Sequence, residues 1–189
     1  MLKAKKINAT QGTLIPLIIS FVIPLILMTL IQKLFNAVDI AVLGNMADTT
    51  AVAAVGATGT IINLLVGFFV GLASGATVII SQYYGAKKHD KVQDTVHTAI
   101  LMTIILAVIF TFLGIAMAPF MIRFMKTPES VIPESTAYLT IYFSGVIGLM
   151  LYNIGSGILR AVGDSQRPLY FLVVSAILNT VPDLAFVLA

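Results

Sequence analysis

Ile100-Leu101-Met102-Thr103-Ile104-Ile105-Leu106-Ala107-Val108-Ile109 decides the fold: ten residues without a charge, apolar on every face. The run sits inside a longer interval, Asp94 to Arg123, that also holds no charge. Two more such intervals lie between Asp48 and Lys87 and between Glu134 and Arg160. Each exceeds the roughly 20 residues with which a helix crosses a bilayer core. Two further apolar stretches follow Lys6 and Arg167.

Composition agrees. Of 189 residues, 59% are hydrophobic and only 10% charged, against about a quarter charged in an ordinary globular domain. So few charges cannot cover a water-facing surface, and lipid is the expected solvent. Lipid offers backbone N–H and C=O groups no partner, so the spans are expected to be helices. A transmembrane barrel would instead alternate apolar and polar residues in short segments. The expected fold class is all-α integral membrane, with five transmembrane helices near residues 14–43, 50–82, 95–122, 135–159 and 168–189. Residues 1–13 form an amino-terminal segment. The first stretch is too long for a signal-peptide core and lacks a small-residue cleavage site.

The connections set direction. Lys3, Lys5 and Lys6, then Lys87, Lys88 and Lys91, then Arg160 and Arg167 fall on one side; Arg123 and Lys126 fall on the other. The positive-inside rule makes the amino terminus and segment 1–13 cytoplasmic, in a cell (plasma or inner) membrane. This placement explains the net charge of +3 without a nucleic-acid partner. The absence of cysteine removes disulfides, zinc–thiolate sites and thiol nucleophiles.

Ionisable groups within a span are costly and mark a pathway. Here they are Lys33, Asp39 and Asp183. In the first span Thr29, Gln32, Lys33, Asn36 and Asp39 fall in one arc of about 120° at about 100° per residue. Such a stripe suits a water-filled cavity. In the fifth span Ser175, Asn179 and Asp183, four apart, share a face. An amide oxygen and a carboxylate suit a hard cation such as sodium; a carboxylate in a low-dielectric cavity equally takes up a proton. Pro182 precedes Asp183 and bends the helix there. In the fourth span Tyr138, Tyr142, Gly145, Tyr152, Asn153 and Ser156 lie within an arc of about 100°, an aromatic wall suited to flat cations. Gly59, Asn63, Gly67, Gly71 and Gly75 on the second span read as a close-packing face.

Gln32-Lys33-Leu34-Phe35-Asn36-Ala37-Val38-Asp39 through Gly44 resembles the first-helix motif of the multidrug and toxic compound extrusion (MATE) family. Gly67 through Ala76 with Ile80 through Ala86, Tyr152 through Ser165, and Asn179 with Asp183 resemble its second, fourth and fifth helices. The resemblance implies twelve helices in two six-helix bundles that alternate access to a central cavity. It implies export of cationic amphiphilic drugs in exchange for Na+ or H+, with no other cofactor and no enzymatic activity. It also implies an ion site at Asp39, Asn153, Asn179 and Asp183, with Na+ at Asp39, Asn179 and Asp183. Gln32, Asn36 and Tyr138 would line the substrate cavity. Phe35 stands where the family often has tyrosine, and Lys33 and Pro182 also depart from its pattern, which leaves the coupling ion open between Na+ and H+. Five spans are one fewer than a bundle, so the chain reads as a fragment or truncated product whose second bundle is to be expected elsewhere.

Two other readings compete. A lipid-linked precursor flippase would line its cavity with several bases, whereas the candidates here are two acids and one lysine. A non-transporting membrane scaffold is the other. An intramembrane aspartyl protease would need Tyr-Asp and Gly-x-Gly-Asp, and Val38-Asp39 and Pro182-Asp183 supply neither.

Overall fold

A computed structural model describes residues 14–46 and 49–188. It contains five long helices: α1 (Leu14–Met46), α2 (Thr49–Gly85), α3 (His89–Phe124), α4 (Ile132–Ala161) and α5 (Gln166–Leu188). A single 3-10 turn, Glu129–Val131, precedes α4. No strand occurs among the described residues. Among the described residues, four helices contain stretches long and apolar enough to cross a membrane: Ile15–Val38, Val52–Gly85, His89–Phe124 and Glu129–Ala161. The chain is therefore a multi-pass membrane protein. Short connections link α2 to α3, α3 to α4 and α4 to α5.

The helices divide into a tight trio and a pair. α4 packs extensively on both α2 and α3, while α1 packs chiefly on α5; contact between the two groups is thin. The trio's core is Leu65 and Phe69 of α2, Ala107, Ala118 and Ile122 of α3, and Leu139, Phe143, Val146 and Met150 of α4. Phe69 and Phe110 meet edge to face at 5.1 Å between centroids, a preferred aromatic geometry.

Two glycines set the spacing within the trio. A Cβ on Gly114 of α3 would strike the Phe143 ring of α4. A Cβ on Gly157 of α4 would lie 2.6 Å from Thr77 Oγ1 and 3.3 Å from the Ala73 carbonyl oxygen of α2. Thr111 adds an interhelical bond, its hydroxyl donating to the Phe143 carbonyl at 3.1 Å. By contrast, the glycine row of α2 does not pack as expected: Cβ atoms on Gly59, Gly67, Gly71 and Gly75 would meet nothing within 4 Å. Among the described residues no other helix lies against that row.

The turns are built by backbone bonding. After α4, Gly163 at φ 84° donates to the Arg160 carbonyl and Asp164 N–H to that of Leu159. This is a Schellman ending, in which glycine takes the left-handed position. After α2 the same bonds run from Lys87 to Tyr84 and from Lys88 to Tyr83, with Lys87 left-handed at φ 57°. Pro128 precedes the 3-10 turn before α4, and no side chain caps it.

Candidate functional site at the α1–α5 seam

α1 turns a spine of Pro24 and Met28, flanked by Leu25, Ile31 and Phe35, into the protein, and these residues are buried or half-buried. The corresponding spine of α5 is Leu169, Leu172, Val173 and Ala176. Beside the α1 spine, Thr29, Gln32, Lys33 and Asn36 are all exposed. The polar stripe thus runs along the open edge of the seam, and among the described residues no helix closes over it. Thr29 satisfies its hydroxyl within α1, donating to the Leu25 carbonyl at 3.1 Å.

On α5, Ser175 and Asn179 are exposed on the side next to its spine. The side chains of Asp39 and Asp183 lie outside the described residues; their backbones belong to α1 and α5. By helical register, Asp39 falls about 50° from the α1 spine and Asp183 about 30° from the α5 spine, at about 100° per residue. Both positions fall in the later half of their helices.

The α4 stripe divides. Tyr142 packs against the trio's core and Ser156 is buried, so these two belong to packing and not to a cavity wall. Tyr152 reaches α5, its hydroxyl donating to the Pro168 carbonyl at 3.4 Å. Asn153 is half-buried, and its amide N–H donates to the Leu149 carbonyl at 2.9 Å. Tyr138 is 36% exposed at the start of α4. The structure therefore brings Gln32, Asn36 and Asn179 to one seam, while Asn153 and Tyr138 sit on α4, which touches α5 only thinly.

Sequence reasoning passed over Asp164. It is almost fully buried, and its Oδ1 accepts from the N–H groups of Gln166 at 3.2 Å and Arg167 at 3.1 Å. That caps the first turn of α5. Its Oδ2 lies 3.2 Å from Arg167 Nε, an ion pair by distance in which no N–H is aimed at the oxygen. The signal was present: Asp followed by Ser-Gln-Arg-Pro before an apolar run is a helix start.

A polytopic all-α membrane protein with a polar line along one helix seam has the makings of a transporter half. The MatE family model matches residues 24–184, and the chain belongs to the MATE family. Its members are transporters and not enzymes. The chain is 32% identical over 177 residues to the probable multidrug resistance protein YpnP of Bacillus subtilis, covering 94% of this chain and 40% of that protein. It is 34% identical over 159 residues to the probable multidrug resistance protein YoeA of the same organism, covering 84% and 34%. Among solved structures, MATE in the straight conformation superposes with a TM-score of 0.82 at 23% identity, over 88% of this chain and 37% of that one. That likeness concerns the fold. The chain spans about two fifths of the length of the first of these relatives.

Proposed function

We propose that this chain forms the amino-terminal part of a multidrug efflux antiporter that exports cationic amphiphilic compounds in exchange for Na+ or H+. What supports the reading is the pairing of α1 with α5. These are the two helices that carry Asp39 and Asp183, with exposed Gln32, Asn36 and Asn179 beside their buried spines. An acid on each of two neighbouring helices gives a cation two carboxylates. Asn179, and Asn153 from α4, add neutral oxygens of the kind hard cations prefer. Proton uptake would neutralise the same pair without a ligand cage.

In this reading the ion and the drug compete for negative charge at the seam. An empty site attracts a cationic drug; a filled one repels it, and the drug leaves. Gln32, Asn36 and Tyr138 would line the drug's path. A second bundle would face the polar edge and complete an alternating-access cavity. The amino terminus would be cytoplasmic and the membrane the cell's plasma or inner membrane. The parent names of YpnP and YoeA favour multidrug cargo over a lipid-linked precursor.

Ethidium export from cells expressing the gene tests the reading. Asp39→Asn and Asp183→Asn should each lower export at least roughly tenfold, the loss of about 1.4 kcal/mol of coupling or more. Export unchanged in both variants would remove the mechanism. Repeating the assay with the sodium gradient or the proton gradient collapsed distinguishes the coupling ion.

A further inference from the structure

The connection between α3 and α4 borders an open-sided pocket of about 600 Å³ lined by Arg123, Thr127, Glu129, Ile132 and Pro133. None of these five residues is among those assigned above to ion or drug. The pocket's volume falls in the usual range for small-molecule sites. Its charges are of opposite sign, and they do not neutralise each other. Among the described residues the one ion pair is Arg167–Asp164, and the side chains of Arg123 and Glu129 have no hydrogen-bonding or ionic partner. Two opposite charges on one small cavity, each left open, match a ligand that carries both signs a short distance apart.

Depth narrows the ligand. Arg123 lies in the last turn of α3, directly after an interval of the sequence without charge. Arginine at the end of such a span sits at the headgroup layer. The left-handed residue Lys126, at φ 55°, then turns the chain back, and Pro133 and Glu134 open α4. The cavity is thus at headgroup level, with Ile132 and Pro133 providing an apolar wall beside the two charges.

We propose that this cavity holds the headgroup of a phospholipid with a primary ammonium, phosphatidylethanolamine. The phosphate accepts from the Arg123 guanidinium, which can donate two parallel bonds. The ammonium donates to the Glu129 carboxylate. The Thr127 hydroxyl is a further donor for the phosphate, and the glycerol end rests on Ile132 and Pro133. A phosphatidylglycerol headgroup offers Glu129 no cation and adds like charge. A phosphatidylcholine headgroup has the cation but no N–H to donate.

Native mass spectrometry of the full chain released from detergent tests this, with equal amounts of the three lipids added. Phosphatidylethanolamine adducts should exceed phosphatidylglycerol adducts by roughly threefold to fivefold, the scale of one exposed charged contact. Glu129→Gln should abolish that preference while retaining phosphate binding. Arg123→Gln should weaken all three lipids together. Lys126→Gln, which changes a neighbouring charge outside the cavity, should leave the preference unchanged. Helical circular dichroism of each variant confirms folding, and all three positions are exposed. Equal adducts of all three lipids on the unmodified chain would overturn the assignment. So would an equal response to Lys126→Gln, which would mean a diffuse basic rim. Adducts of soluble phosphoethanolamine as abundant as those of the lipid would also overturn it, transferring the site to a free ligand.

Discussion

Thr111 of α3 donates its hydroxyl to the main-chain carbonyl of Phe143 on α4, 3.1 Å away, and one turn further along α3 Gly114 lies against the Phe143 ring. One residue of α4 is therefore held twice by α3, through its backbone and through its side chain. In lipid, where apolar attraction between helices is weak, such close contacts and interhelical bonds carry the association.

Gly114→Ala should destabilise the trio by about 1–3 kcal/mol, because the added methyl must displace a buried aromatic ring. Thr111→Val removes only the bond and should cost about 0.6 kcal/mol. Apparent melting temperatures of the detergent-solubilised chain, followed by circular dichroism, should rank the two variants in that order.

Gly157→Ala should also destabilise, since its Cβ would lie 2.6 Å from Thr77 Oγ1. Thr77→Ala in the same chain should recover much of the loss, as the nearest remaining atom is the Ala73 carbonyl oxygen at 3.3 Å. A double-mutant cycle with coupling above about 0.5 kcal/mol identifies the clash as the cause.

Gly67→Ala and Gly71→Ala should leave the melting temperature of this chain unchanged or raise it, because open space surrounds both positions and alanine favours helix by up to about 1 kcal/mol. A loss as large as that of Gly157→Ala would show that another helix meets the row.

Asp164→Ala should lower stability by about 0.5–2 kcal/mol through loss of the cap on α5. Asp164→Asn keeps an oxygen for the Gln166 and Arg167 N–H groups and should retain most of it. Comparable losses in both variants would assign the effect to the Arg167 ion pair instead.

Lys87→Gly should stabilise. Lys87 holds a left-handed conformation that costs a residue with a Cβ about 1 kcal/mol, and glycine already occupies the matching place at Gly163. Hydrogen exchange at Lys87 and Lys88, whose N–H groups close the turn, should slow in the variant.

The helices were legible because the charges were absent: the intervals bounded by Asp48 and Lys87, Asp94 and Arg123, and Glu134 and Arg160 leave lipid as the one consistent solvent. The polar edge of α1 was legible for a related reason, since helical period alone gathers Thr29, Gln32, Lys33 and Asn36. What escaped was contact between helices. Gly67, Gly71 and Gly75 repeat every four residues and invited a packing role, yet they are open. Gly114 and Gly157 have no such rhythm, and they touch Phe143 and Thr77. The partner that makes a glycine necessary lies on another helix, and no local pattern records it. Tyr142 and Ser156 were misplaced for the same reason: a wheel shows which residues share a face, not which face a neighbour covers. The carboxylates of Asp39 and Asp183 lie outside the described residues, so their part in the candidate site rests on register alone.

The unequal joining of the five helices has a mechanical consequence. Shifting the α1–α5 pair as one body would break little packing, since only a narrow boundary ties it to the other three. The force of any such shift would be delivered to the elbow at residues 162–165, where the capped start of α5 and the Tyr152–Pro168 strut meet. That corner is one pivot of the pair, and its stiffness would help to set how far the pair can swing.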